Sequence, residues 1–441
     1  MNNVLYPLTY LGLCPFLIVL ARALQTQKAF QPTFLAVTPA EATFAQNNLP
    51  PDCIVVCLSG QGTIEPDVLP TDAQYQSVYG FMKAKYGGTD RVWRQRVNRV
   101  YRLVESVILK QEIHMMVLWN GNDCMGRICR LLAEKYGLKT VFLENGYFPN
   151  TLQVDPKGVN AEASVADIPA IQWAGEELLK DSRDQAMPCA EKISPTPTSP
   201  LSLLQRLKLR SQPLLDRKFY DRYPELRDQQ VRKRVKTRLH LSSAAAVLAR
   251  QRPFALVILQ VHDDTQILLN SKLFKNPRDF VQHCYDNIRQ VFGPDFPVVI
   301  KLHPVDLNRI CYAGLAARMK NTSWIGAEPV QPLLDGCQFV MVVNSSVGLQ
   351  SIALHKPTIV FGDSFYSRDE VCRVVRSTSQ TRMVLEEMKE GQSGVDSLAI
   401  DRFLGYLRTR FFVRGSWSVG PDTDLAPAVH KIHEILAPAS R

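Results

Sequence analysis

"CQFVMVVNSSVGLQSIALHKPTIVFGD" (337–363) is the segment on which the fold turns. An apolar run from Phe339 to Val343 stops at Asn344-Ser345-Ser346. Apolar residues then recur at helical spacing to Leu354, and a second apolar run from Thr358 ends on Gly362-Asp363. Strand, tight turn, helix, strand is the repeating unit of a parallel sheet, because parallel neighbours need a crossover between them. Runs that are apolar throughout, rather than alternating, belong to strands covered on both faces.

The same unit recurs outward from this segment. Upstream, "FALVILQV" (254–261) reads as a strand, 278–292 as a helix, and "FPVVIKLHP" (296–304) as a strand with His-Pro at its end. In the first third, 53–60, 113–121 and 140–146 read as strands, and 88–110 and 126–139 as helices, the second closing at Gly137. Between the two parts, "ISPTPTSP" (193–200) has linker composition. Residues 201–240 hold 12 Lys or Arg against 4 Asp or Glu, so +8 of the net charge of +10 lies there. The expected fold is α/β, with two Rossmann-like domains facing a cleft, the architecture called GT-B in glycosyltransferases. The expected boundaries are 1–185, a basic linker over 186–250, and 251–441.

A chain of 441 residues suits two domains, and 46% hydrophobic with 21% charged residues excludes global disorder. The basic balance points to an anionic partner. The ten cysteines form no C-x-x-C pair and no zinc spacing, which fits reduced thiols in a cytosolic protein. The first 21 residues carry no charged side chain, but Pro7 and Pro15 interrupt the apolar run, so they read as a strand, a loop and a buried helix rather than a membrane span. No recognisable RNA- or DNA-binding motif accompanies the basic segment.

Ligands of open parallel sheets gather at the carboxyl ends of strands. Four clusters fall there: Glu144-Asn145-Gly146, Gln260 with Asp263 and Asp264, His303-Pro304, and Asn344-Ser345-Ser346. Backbone N–H groups and serine hydroxyls opening a helix suit a phosphate, and they suit plain N-capping equally. Lys301 and His303, two residues apart, share one face of their strand, and a histidine there can donate to a departing phosphate. A carboxylate at strand end can attack an anomeric carbon, cap the next helix, or hold a metal through a diphosphate. The spacing fits neither an EF-hand nor D-x-D.

The order of these pieces is more specific than any one of them. Glu144-x-Gly146 followed by Pro149, Asp155-x-x-Gly158-Val159-Asn160, Gln260-x-x-x-Asp264, His303-Pro304 and Asn344-Ser345-Ser346, over about 115–366, resemble the capsular polysaccharide synthesis family, the KpsS/KpsC-like β-Kdo transferases. The length is similar to that of its single-module members. Phe148 stands where relatives often carry Arg before the proline. The resemblance implies transfer of 3-deoxy-D-manno-oct-2-ulosonic acid (Kdo) from CMP-Kdo to a lyso-phospholipid or Kdo-primed glycolipid. It implies an enzyme in the cytoplasm, peripheral on the anionic inner face of the inner membrane, alongside other capsule assembly proteins. Asp264 corresponds to the nucleophile, His303 and Ser345-Ser346 to the CMP-phosphate site, and Glu144 to the acceptor-side carboxylate. With them, Lys301 and Asn344 are expected at the nucleotide, and Gln260, Asn120, Asn145 and Gly146 at substrate. Neither metal nor cofactor is expected. Three other readings stay open: a CMP-sialic acid transferase that inverts with Glu144 as base, a CDP-glycerol polymerase on a similar fold, and a non-catalytic export or scaffolding protein that keeps the fold without needing Asp264.

Overall fold

The structure, a computed structural model, describes residues 2–26, 30–37, 39–50, 53–57, 66–173, 239–392, 394–419 and 423–436. They form two compact units. The first holds the described residues up to Ser164 and those from Arg410 onward; the second holds those from Val165 to Thr409. Residues 186–238 of the expected linker over 186–250 lie outside the described residues.

The first unit is a seven-stranded sheet. Its strands are β1 (Asn2–Leu8), β2 (Phe30–Ala36), β3 (Ile54–Cys57), β4 (Ile113–Trp119), β5 (Lys139–Asn145), β6 (Thr151–Asp155) and the last strand among the described residues, β13 (Phe412–Arg414). The order is β13-β6-β5-β4-β1-β2-β3, parallel except for the antiparallel pairs β5–β6 and β6–β13. Successive side chains go to opposite cores: Val4, Tyr6 and Leu8 to one, Leu5 to the other; Met115 and Val117 to one, Met116 and Leu118 to the other. Both faces are therefore covered, as the unbroken apolar runs require. The helix Asp90–Lys110 starts where the Thr89 hydroxyl accepts the Val92 N–H, and it buries Trp93, Val97, Val100, Val104 and Val107 at helical spacing. The helix Cys124–Tyr136 ends at Gly137, whose φ of 62° is left-handed.

The second unit is a six-stranded parallel sheet. Its strands are β7 (Ala255–Ile258), β8 (Val298–Lys301), β9 (Thr322–Ile325), β10 (Phe339–Val342), β11 (Thr358–Val360) and β12 (Arg373–Val374), in the order β12-β11-β10-β7-β8-β9. The expectation of two Rossmann-like α/β units is met. Three boundaries differ. The first unit's opening stretch ends at Ser164, not 185, and Val165 to Trp173 belong to the second unit. The second unit ends at Thr409, not 441, because β13 pairs with β6 and the helix Ala426–Leu436 buries Ala428, Val429, Ile432 and Leu436 in the first unit's core. The strand expected to run to Val261 leaves the ladder at Ile258: the His262 N–H goes to Asp306 Oδ2 and the Asp264 N–H to Val261 O, so a turn replaces it. The charge-poor N-terminus is β1, a short 3-10 turn and the buried helix Cys14–Gln25, with Pro15 in its first turn. Among the described residues no helix is long and apolar enough to cross a membrane.

Candidate functional site

In the second sheet the chain lays β8 and β9 to one side of β7, then returns to place β10 on the other. The reversal falls between β7 and β10, and the crevice outside their carboxyl ends is where such sheets bind ligands. Gln260 and Asn344 stand there and clasp each other. Gln260 Nε2 donates to Asn344 Oδ1 at 2.8 Å, and the Asn344 N–H donates to Gln260 Oε1 at 3.3 Å. Asn344 Nδ2 then donates to the carbonyls of Gln266 (2.8 Å), Asp363 (3.1 Å) and Asn270 (3.3 Å). Asn344 is 0% exposed. These two residues, expected at nucleotide and substrate, instead have their amides occupied in fastening β7, β10 and the loop after β11 into one frame.

Other groups stand at the mouth of this frame. Ser345 caps the helix Ser346–Ala353, its hydroxyl accepting the Val347 N–H at 3.3 Å. The Tyr366 hydroxyl donates to Ser345 O, and a Cβ on Gly348 would lie 2.5 Å from that hydroxyl, so only glycine fits. The Ser346 hydroxyl makes no hydrogen bond among the described residues. It stands at a helix N-terminus, whose unpaired N–H groups favour an anion. Asp264 caps the short helix Thr265–Leu268: Oδ1 accepts the Gln266 N–H at 3.2 Å and the Thr265 hydroxyl at 3.0 Å. Its Oδ2 has no protein donor among the described residues.

Beyond β8, His303 Nδ1 accepts the Val305 N–H at 3.2 Å, which leaves the ring proton on Nε2 and makes that edge a donor. Lys301 does not join it. It is 6% exposed, and its amine donates to Gly326 O at 2.6 Å and Leu302 O at 3.2 Å. Burial pulls its pKa down to about 8, partly countered by Glu328. The nucleotide contact expected of Lys301 has no support in these hydrogen bonds. Asp263 is not at the mouth either: Arg309 forks onto it, and Arg309 also reaches Asp306 at 3.1 Å.

In the first sheet the reversal falls between β1 and β4. Asn120, at φ 58°, and Gly121, at φ 73°, turn the chain out of β4. A Cβ on Gly126 would lie 2.5 Å from Gly121 Cα, so the turn packs directly on the helix that follows. Asn120 Nδ2 donates to Glu144 Oε2 at 2.5 Å, and the Asn145 N–H donates to Glu144 Oε1 at 2.9 Å. Three expected residues of this unit thus meet. Gly146 serves the hairpin, since a Cβ there would overlap Thr151. The Asp-x-x-Gly-Val-Asn motif is a brace: Asp155 accepts the N–H groups of Lys157 (2.8 Å), Gly158 (3.1 Å) and Ser164 (3.0 Å), and Gln153 bonds Asn160. Two residues not singled out from the sequence belong here. Tyr10 follows β1, its phenol pushed up by burial and then by the Glu144 and Asp123 carboxylates. Asp123 caps the helix Cys124–Tyr136, and burial raises its pKa. An apolar strand followed by Tyr or Asp is too common a pattern to have marked them.

Several known proteins are similar. Protein FixF of Sinorhizobium fredii (strain NBRC 101917 / NGR234) is 26% identical over 333 residues, 73% of this chain and 65% of that protein. The capsule polysaccharide export protein KpsS of Escherichia coli is 23% identical over 258 residues, 53% of this chain and 63% of KpsS. The chain thus spans just under two thirds of the length of both relatives. Among solved structures, the β-Kdo 2,7 transferase of Thermosulfurimonas dismutans KpsC matches with a TM-score of 0.42 and 14% identity, over 78% of this chain and 96% of that one. Residues 114–373 match the model of a family described as capsule polysaccharide biosynthesis protein, and that range takes in Glu144, Asp264, His303 and Ser345-Ser346. With more than half of its length matched, the chain belongs to the capsule polysaccharide biosynthesis protein family.

Proposed function

We propose that this protein is a retaining glycosyltransferase that moves Kdo from CMP-Kdo to a lyso-phospholipid or Kdo-primed lipid acceptor, building the linker of a capsule polysaccharide. What supports this reading is the Gln260–Asn344 clasp, which ties β10 to the end of β7 next to the short helix that Asp264 caps, while Ser346 opens the helix after β10. In the first step Asp264 attacks the anomeric carbon, the bond to phosphate breaks, and CMP leaves with its charge met by Ser345, Ser346 and the helix N-terminus. His303, with its proton on Nε2, donates to the departing phosphate. In the second step an acceptor hydroxyl displaces Asp264, and two inversions leave the donor's configuration unchanged. Glu144, Asn120 and Asn145 are assigned to the acceptor.

Supplying CMP-Kdo, CMP-sialic acid and CDP-glycerol separately, each with a lipid acceptor, tests the reading. CMP release from CMP-Kdo alone, with a product of retained configuration, is expected. Release from neither CMP sugar nor CDP-glycerol contradicts it and favours the export role named for the Escherichia coli relative.

A further inference from the structure

His262 lies two residues before Asp264 and has no part in the chemistry above. It is held twice by one buried carboxylate: its backbone N–H donates to Asp306 Oδ2 at 2.6 Å, and its Nδ1 lies 3.1 Å from both oxygens of Asp306. Asp306 is 3% exposed and is fixed in turn by Arg309 at 3.1 Å, which also holds Asp263. A carboxylate facing Nδ1 keeps the ring proton on that nitrogen, so Nε2 presents a bare lone pair. Nε2 has no protein partner among the described residues, and the side chain is 32% exposed. His262 also lines an apolar recess with Leu259, Ile267 and Phe274. The two histidines near the crevice are thus set in opposite states: His303 with a donor at Nε2, His262 with an acceptor.

We propose that His262, oriented by Asp306, is the general base of the second step. This rests on the double-displacement reading. The acceptor hydroxyl loses its proton to His262 Nε2, its oxygen forms the new bond to the anomeric carbon, and the ester bond to Asp264 breaks to return the carboxylate. Glu144, the other candidate base, already receives a donor on each oxygen and is left to bind the acceptor.

The test follows the adduct by rapid-quench intact mass spectrometry with CMP-Kdo, then with a lipid acceptor added. His262→Gln is expected to form the adduct at the wild-type rate and to discharge it about 100-fold more slowly, so that the adduct accumulates. Asp306→Asn slows the same step by a smaller factor. Azide, which attacks without losing a proton, discharges the adduct of His262→Gln as fast as that of the wild type, a result a merely structural role would not give. Wild-type discharge to the lipid by His262→Gln, or a defect confined to adduct formation, overturns the proposal. Absence of any adduct in the wild type fails the double-displacement reading itself and takes this proposal with it.

Discussion

Asp263 and Asp264 are neighbours of the same chemistry with opposite surroundings. Asp263 faces the Arg309 fork, with 16% of its side chain exposed against 12% for the arginine. Asp264 uses one oxygen as a helix cap and leaves the other open. Asn caps a helix about as well as Asp, so Asp264→Asn costs well under ~1 kcal/mol of stability while abolishing turnover. Asp263→Asn leaves Arg309 short of a partner and costs about 3 kcal/mol, with turnover kept in whatever fraction stays folded. Urea unfolding and turnover measured on the two variants side by side separate these outcomes. From the sequence, a strand ending on carboxylates was legible. Which carboxylate stays open was not, because Arg309 lies 46 positions away and only the fold brings it near. Lys301 shows the same limit: spacing gave its position, but not that its amine turns to Gly326 O. Its pKa falls from the ordinary 10.5 to about 8, so between those values the unfolded chain binds more protons and stability rises with pH. Lys301→Met removes that rise, which unfolding midpoints at pH 8 and pH 10 will show; an unchanged slope contradicts the assignment.

At the scale of elements, the strand–turn–helix at Asn344 was readable because each part carries its own local signal: an apolar run, a capping serine, helical spacing. The clasp was not, since Gln260 and Asn344 are 84 positions apart and meet only because β10 returns beside β7. Asn344→Ala takes the Oδ1 acceptor from Gln260 Nε2, keeps the backbone N–H to Gln260 Oε1, and leaves the carbonyls of Gln266, Asn270 and Asp363 without their donor. Unmade buried hydrogen bonds cost about 1–3 kcal/mol each where water cannot enter. The variant is therefore expected to unfold at markedly lower urea and to lose CMP binding together with stability. Normal stability with lost binding would show instead that Asn344 contacts the nucleotide directly. The end of β7 at Ile258 belongs to this scale too: Leu259 and Val261 are still apolar, yet after the Leu259 N–H reaches Lys301 O the pairing is lost, and the His262 N–H goes to Asp306 instead.

At the scale of the whole molecule, alternation of strands and helices gave two α/β units correctly, whereas the crossing back at Arg410 was invisible. A three-residue strand and one amphipathic helix have no local mark saying which sheet they complete. The basic segment 201–240, mostly outside the described residues, carries +8. Near an anionic surface each basic residue contributes about 1 kcal/mol, screened over about 8 Å at physiological salt. Binding to anionic vesicles that weakens with salt, and that falls on charge reversal of Arg232, Lys233 and Arg234, is expected; unchanged binding of that variant refutes a membrane role for the segment. The central claim is that Asp264 carries the sugar between donor and acceptor. Intact-protein mass spectrometry of the wild type and of Asp264→Asn, each with CMP-Kdo and no acceptor, tests it most directly. The account predicts one Kdo adduct mapping to Asp264 in the wild type and none in a folded, CMP-binding Asp264→Asn. An adduct on Asp263, or a product of inverted anomeric configuration formed without any adduct, would contradict it.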